Sequence, residues 1–338
     1  MKTLFLYYDP HYAHAEMAKE LNADFYPSPK LKSESSNMLL GGLSILKAVF
    51  TLPKDYDVYF CEGTYIIPAL ARKLGLLNKK AKIVNILASP LLYYIKTGRI
   101  KGIRRKFALW LLKEVDLFVS IGKMEDEILK EILPNAKSIV TYPRPKKEVV
   151  TALLKDERMP DLNSQIILTI GTHDAYYKGI DIVYKAFKKV RKKFINAKLY
   201  IVGNIPDLSK YVNCKEKGIY CLGHVDNLEM FIKISSLYVH MGRGDTFPLS
   251  TIEAMLGGLP AIVSEWTGTK EVVSKVDRKL IIELNPKELA NKIIWYFSLN
   301  NAKKTELSIK SKDEAKKFVK SVKVKDLKKK MKKIGVFA

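Results

Sequence analysis

The feature that most limits what this chain can fold into is a rhythm that runs through it twice. Short, continuous apolar runs alternate with longer amphipathic stretches at helical spacing. In the first half the apolar runs fall at 3–8, 23–26, 57–61, 82–87 and 116–121, and the helical stretches at 14–21, 38–50, 65–74, 103–114 and 125–133. Strands apolar on both faces belong to a parallel sheet covered on both sides. Helices between such strands make a doubly wound α/β domain. A polar segment at 156–164, containing Pro160, interrupts the rhythm, which then restarts. Strands are predicted at 165–170, 198–202, 220–222, 237–241 and 261–264, and helices at 180–194, 228–234, 249–256 and 286–300. The 249–256 helix meets a stop at Gly257, Gly258 and Pro260, and the last opens on Pro286. The predicted domains are 1–155 and 165–302, with a Lys-rich helical tail at 303–338.

The length of 338 residues suits two domains of about 150 residues each. Lys and Arg number 59 against 35 Asp and Glu, a formal charge of +24. Such a field favours nucleotides, nucleic acid or an anionic bilayer. The excess is mostly lysine, which also fits a thermophile surface habit, and both readings stand. A nucleic-acid partner ranks last. No recognition motif is present, and the tail keeps Leu307, Ile309, Phe318, Val319, Val322, Leu327 and Met331 at helical spacing without interleaved stacking aromatics. That pattern reads as a solvated helix docked on a domain. Cys61, Cys214 and Cys221 have no metal or redox spacing and read as a reduced, intracellular set. The opening residues read as a first strand, not a leader, and no run reaches the ~18 apolar residues of a spanning helix. The expected location is the cytoplasm, including a peripheral place on the inner face of the membrane.

The densest chemical signal is GRGDTFPLSTIEAMLGGLPAIVSEWTGTKE, residues 242–271. A strand enters a loop carrying Asp245, and the loop opens a helix with Pro248 in its first turn. Glu253 follows on that helix. Doubly wound domains bind ligands at the carboxyl ends of their strands. The amides of Thr246, Phe247, Pro248's neighbour Leu249, and Ser250 can receive a phosphate at the helix N-terminus. Glu253 can accept both vicinal hydroxyls of a ribose.

This stretch resembles glycosyltransferase family 4, the group 1 glycosyl transferases, which are retaining enzymes of GT-B fold. The matching residues are Asp245, Phe247-Pro248-Leu249, Glu253-Ala254-Met255 and Gly258-Leu259-Pro260, followed by Gly268 and Glu271. The resemblance implies two facing Rossmann-like domains with a cleft between them. It implies a nucleotide-diphosphate sugar as donor, with Glu253 on the ribose, Asp245 at the donor sugar, and residues 246–250 receiving the diphosphate or sugar. The family usually has Glu where this chain has Asp245.

A second match is IGTHDAYYKGID, residues 170–181, where Lys178, Gly179 and Asp181 fit the family. Its lysine neutralises the leaving diphosphate. The family's arginine is Thr172 here, followed by His173, and Gly171 ends the strand. Gly203, at the end of the next strand, joins the same lining. Leu222-Gly223-His224-Val225 is a third match, with His224 bordering the nucleobase. Lys178, Asp245 and Glu253 are the catalytic candidates. The displacement in the family needs no metal, and no metal-ligand constellation stands out among the five histidines.

The first half resembles the family only in outline, and by that resemblance supplies the acceptor, a glycan or a lipid-linked compound. His11 and His14, after the first strand, can take a proton or bind an anionic group, though surface histidines look the same. Asn85 and Ser89 can hydrogen-bond a sugar. Residues 91–113 mix Tyr93, Tyr94, Phe107 and Trp110 with Lys96, Arg99, Lys101, Arg104, Arg105 and Lys106. They fit either peripheral contact with an anionic membrane or a core-facing helix with a charged outer face. Three other functions stay open: a sugar-nucleotide epimerase or phosphorylase of the same architecture, a non-catalytic sugar-nucleotide or glycan-binding protein, and, last, a nucleic-acid binder.

Overall fold

The structure is a computed structural model that describes residues 1–7, 12–27, 38–63, 65–172, 174–321 and 326–336. Asp9, Pro10, His11, His173 and Val322 lie outside the described residues. The chain divides into two compact units, Met1–Pro143 with Lys323–Ala338, and Arg144–Val322.

The first unit runs β1 (Thr3–Tyr7), α1 (Tyr12–Glu20), β2 (Asp24–Pro27), α2 (Met38–Thr51), β3 (Val58–Glu62), α3 (Ile66–Lys73), β4 (Lys82–Leu87), α4 (Leu91–Lys96), α5 (Gly102–Leu112), β5 (Leu117–Ile121), α6 (Lys123–Ile132) and β6 (Ser138–Thr141). Its six strands are all parallel, in the order β2-β1-β3-β4-β5-β6. Val58, Phe60, Val84, Ile86, Leu117 and Val119 are fully buried, as expected for central strands covered on both faces. β6 escapes a sequence reading because it is an edge strand of four residues in which Ser138 and Val140 stay half-exposed.

Strand order reverses between β1 and β3. There His14 is buried with its Nδ1 against Glu62 Oε1. Of the residues considered for the acceptor, Asn85 lies on β4, buried, with Oδ1 unpartnered among the described residues. The aromatic and basic stretch 91–113 is two helices of different character. In α4, Leu92, Tyr93 and Ile95 face the core. Only α5 presents large apolar residues outward.

The second unit runs α7 (Lys147–Lys155), β7 (Ile166–Ile170), α8 (Ile180–Lys193), β8 (Lys198–Val202), β9 (Ile219–Gly223), α9 (Leu228–Ile234), β10 (Leu237–His240), α10 (Leu249–Leu256), β11 (Ala261–Ser264), α11 (Lys270–Val276), β12 (Ile281–Ile282), α12 (Pro286–Phe297) and α13 (Asn301–Ser321). All pairings are parallel, in the order β12-β11-β10-β7-β8-β9. β7, β8 and β9 build outward in one direction and β10, β11 and β12 in the other, so the switch point lies between β7 and β10. α12 opens as its sequence requires: Asn285 Oδ1 accepts from the Lys287 and Glu288 amides, with Pro286 at the first helical position.

The first domain was placed at 1–155 from the sequence; α7, inside that range, packs on α9 and α10 in the second unit. The tail also divides. α13 packs on α10 and α11, with Ser308 Oγ donating to the Gly258 carbonyl at 2.6 Å. α14 (Asp326–Lys333) packs on β6 of the first unit and buries Leu327 and Met331.

The cysteine reading needs correction. Cys214 and Cys221 form a disulfide, with Cα atoms 5.8 Å apart. Their spacing matches no metal or redox motif, but the turn between them, with Gly218 at φ +87°, brings the chain back on itself beside β9. Cys61 is buried and outside the bridge. Among the described residues, no helix is long and apolar enough to cross a membrane.

Candidate functional site

The switch point of the second unit gathers two loops. One follows β7 and carries Thr172, Lys178 and Gly179. The other follows β10 and carries Gly242, Arg243, Gly244 and Asp245 before α10. Glycines let them approach. Gly179 has φ +70°, and a Cβ there would overlap the Met241 carbonyl. A Cβ on Gly268 would overlap the Thr246 carbonyl, and the Gly268 amide donates to the Asp245 carbonyl at 2.8 Å.

Four sets of contacts tie the loops. Arg243 N donates to Tyr177 O at 2.8 Å, and Tyr177 Oη to Gly244 O at 3.1 Å. The Arg243 guanidinium meets Asp181 with both nitrogens, at 2.7 and 2.9 Å, lies 3.8 Å from the Tyr176 ring centroid and donates to the Tyr176 carbonyl. The fourth is an ion pair between Lys178 Nζ and Asp245 Oδ2, at 2.7 Å.

The same carboxylate oxygen of Asp245 lies 2.8 Å from His240 Nε2. Burial pushes the Asp245 carboxyl up, but the Lys178 charge and the His240 hydrogen bond reverse this and hold it well below the usual carboxylate range. Burial pushes the His240 imidazole down against the pull of Asp245. The neutral ring facing an ionised carboxylate therefore donates from Nε2. Its Nδ1 is buried without a hydrogen-bond partner among the described residues. One anion is thus held by a cation from the neighbouring loop and by a neutral donor from beneath.

Beyond Asp245 the chain turns directly into α10. Its first turn leaves the Leu249 and Ser250 amides outside the intrahelical ladder. Phe247 does not open to this space; its ring stacks on Phe318 of α13, with centroids 4.9 Å apart. Ser250 Oγ lies 2.9 Å from the Tyr238 hydroxyl. Glu253 stands one turn further along α10. Burial raises its carboxyl to about 7, against the opposing pull of Lys146. The strand ends next door are glycine: Gly171 N donates to Val202 O, and Gly203 N to Gly223 O. Thr172 and His224 are exposed, and His224 Nε2 lies 3.6 Å from Asp226 Oδ1.

Lys178 and Asp245, predicted to act together, are in direct contact. Residues 246–250 and Glu253 follow from the same strand end, and Gly171 and Gly203 lie at adjacent ends. His240 escaped the sequence reading because one histidine in an apolar strand looks like a core residue. Arg243 lay inside the quoted motif, but nothing in the sequence linked it to Asp181, 62 positions away.

His240→Phe keeps the ring volume and removes the donor. We expect a loss of about 1.5–3 kcal/mol in urea unfolding, the worth of a hydrogen bond to a charged group. Combined with Asp245→Asn, the two losses should fall short of additive, because each removes the charge assistance of the same bond.

Parts of this chain are similar to known proteins. Residues 164–298 match the family model of glycosyl transferases group 1. An uncharacterized glycosyltransferase of Haemophilus influenzae is 25% identical over 177 residues, covering 50% of this chain and 48% of that protein. The chain spans about half the length of the curated relatives it matches first. Sucrose-phosphate synthase from Thermosynechococcus elongatus superposes with a TM-score of 0.73 at 13% identity, covering 99% of both chains. Anabaena HepE, in complex with UDP and glucose, gives 0.67 at 15% identity over 98% of both. The chain has the GT-B fold, and its residues 164–298 are similar to glycosyl transferases group 1.

Proposed function

We propose that this protein transfers a sugar from a nucleotide-diphosphate donor to a hydroxyl of a glycan or lipid-linked acceptor, with retention of anomeric configuration. The observation that carries the reading is the Lys178–Asp245–His240 contact at the switch point, continuous with the N-terminus of α10 and with Glu253. HepE, with the same fold, is known in complex with UDP and glucose. In the proposal Glu253 accepts the ribose hydroxyls. Lys178 and the amides of Thr246, Phe247, Leu249 and Ser250 hold the diphosphate, and Asp245 orients the donor sugar. The acceptor oxygen bonds to the anomeric carbon on the face the leaving group vacates, as the bond from that carbon to the phosphate oxygen breaks. The departing phosphate takes the acceptor proton. The displacement uses no metal and no cofactor besides the donor.

The site of action we assign is the cytoplasm. A short-range disulfide on a lysine-rich surface is compatible with it, since intracellular proteins of hyperthermophiles carry disulfides.

The direct test incubates the protein with nucleoside-diphosphate sugars, following release of the nucleoside diphosphate and the anomeric proton coupling of the product. The expected product keeps the donor's configuration. Inversion would overturn the retaining step. Epimerised donor without transfer, or donor binding without release, would overturn the transferase reading.

Donor affinity should also follow the Glu253 carboxyl. Its folded value of about 7 lies above the ordinary 4.5. The folded protein therefore binds the extra proton between those values, and this group's contribution to stability falls as pH rises through that window. A carboxylate accepts both ribose hydroxyls, so donor affinity should rise as pH passes about 7. Glu253→Gln should flatten both trends, the affinity trend in calorimetric titrations between about pH 6 and 8 and the stability trend in unfolding curves between about pH 4.5 and 7.

A further inference from the structure

The geometry points to a second functional surface, on the outer face of the first unit: a docking site for an anionic lipid bilayer, formed by α2, α3 and α5. The face belongs wholly to that unit, so its occupant does not depend on the donor chemistry of the second.

A helix lying on a sheet should turn its apolar stripe inward and its polar residues outward. α2 and α5 turn large apolar residues both ways. α5 buries Leu111 and Leu112, yet Ile103, Phe107 and Trp110, spaced i, i+4 and i+7, form a stripe on the side opposite Leu112. α2 buries Ala48 and Val49, yet Leu43, Leu46 and Phe50, spaced i, i+3 and i+7, form a similar stripe. These six side chains are 43–83% exposed. α3 packs between the two helices, and Leu74 at its end is also exposed. Between α3 and α5 the face is continuous: Lys73 of α3 stands 4.9 Å from the Trp110 ring centroid, and the Phe107 and Trp110 rings lie 5.9 Å apart.

The charges select the occupant. α2, α3 and α5 contain no acidic residue. Lys47 stands within the α2 stripe, Arg104 and Lys106 flank the α5 stripe, and Lys101 is exposed just before α5. A second copy would bring like charges together. An anionic bilayer accepts the apolar side chains into its interface while its headgroups meet the cations.

The test is co-sedimentation of the full chain with phosphatidylglycerol vesicles and with phosphatidylcholine vesicles, together with the shift of Trp110 emission. Trp266 and Trp295, the other tryptophans, lie in the second unit. The expected result is binding to the anionic vesicles, at least about tenfold weaker to the neutral ones, decreasing with salt, with a blue shift that Trp110→Phe removes. Ile103→Ser with Phe107→Ser, and separately Leu46→Ser with Phe50→Ser, should each weaken binding by about tenfold or more while circular dichroism and nucleotide binding stay unchanged. Arg104→Glu with Lys106→Glu, which leaves the apolar stripes intact, should also weaken it. The proposal is overturned if the wild type ignores phosphatidylglycerol vesicles or if the serine variants bind as the wild type does. It is equally overturned if sedimentation velocity shows a dimer that these substitutions dissociate.

Discussion

Lys178→Met is expected to lower donor turnover by roughly 10²–10³-fold, the usual cost of removing one preorganised group from developing negative charge. Two effects must be separated. In the resting site Lys178 neutralises Asp245, which is buried and strongly ionised. Removing the cation leaves that charge facing only a neutral imidazole, and breaking such a pair costs about 3–5 kcal/mol. Lys178 is partly open to water, so the lower end of that range is expected. The double variant Lys178→Met/Asp245→Asn should regain most of the stability, because no unpaired charge remains. It should not regain turnover, because the cation proposed to face the leaving diphosphate is still missing. Recovery of both together would mean that the pair is only a structural strut.

Gly179→Ala should produce the second large effect, although it touches no charged group. Gly179 sits at φ +70°, a conformation that costs an L-residue roughly 1–2 kcal/mol. Its new methyl would also collide with the Met241 carbonyl, which is backbone and cannot rotate aside. Overpacking of this kind costs about 1–3 kcal/mol more. Relief requires the loop after β7 to move away from the loop after β10, and that movement separates Lys178 from Asp245. Thermal unfolding should therefore show a destabilisation of about 2–5 kcal/mol, with donor affinity falling alongside. A stable variant with unchanged affinity would show that the close approach of the loops is not needed to hold the site.

These cases show which parts of the molecule the sequence makes legible. Lys198–Val202 and Leu249–Leu256 have the bounds expected of them, because apolar runs and a Gly-Gly-x-Pro stop are local signals. β6 was invisible because a half-exposed edge strand has no continuous apolar run. Lys178, Asp245 and Glu253 could be named because they fall within recognisable motifs. His240 and the Arg243–Asp181 clamp could not, since their roles exist only when β10 lies beside β7. The cysteines misled for a related reason: a disulfide depends on the turn at Gly218, and spacing alone does not reveal it. The same holds for α5, whose basic and aromatic composition is plain in the sequence while the outward direction of its apolar stripe is not.

The central claim is that the switch point of the second unit binds a nucleotide-sugar donor, with Glu253 on its ribose. The most direct measurement is calorimetric titration of nucleoside diphosphates and their sugars into the wild type and into Glu253→Ala. Binding of one nucleotide series by the wild type, weakened about tenfold or more in the variant, is the expected result, since two hydroxyl-to-carboxylate hydrogen bonds are lost. A folded wild type that binds none of them, or a variant that binds as tightly as the wild type, would contradict the account.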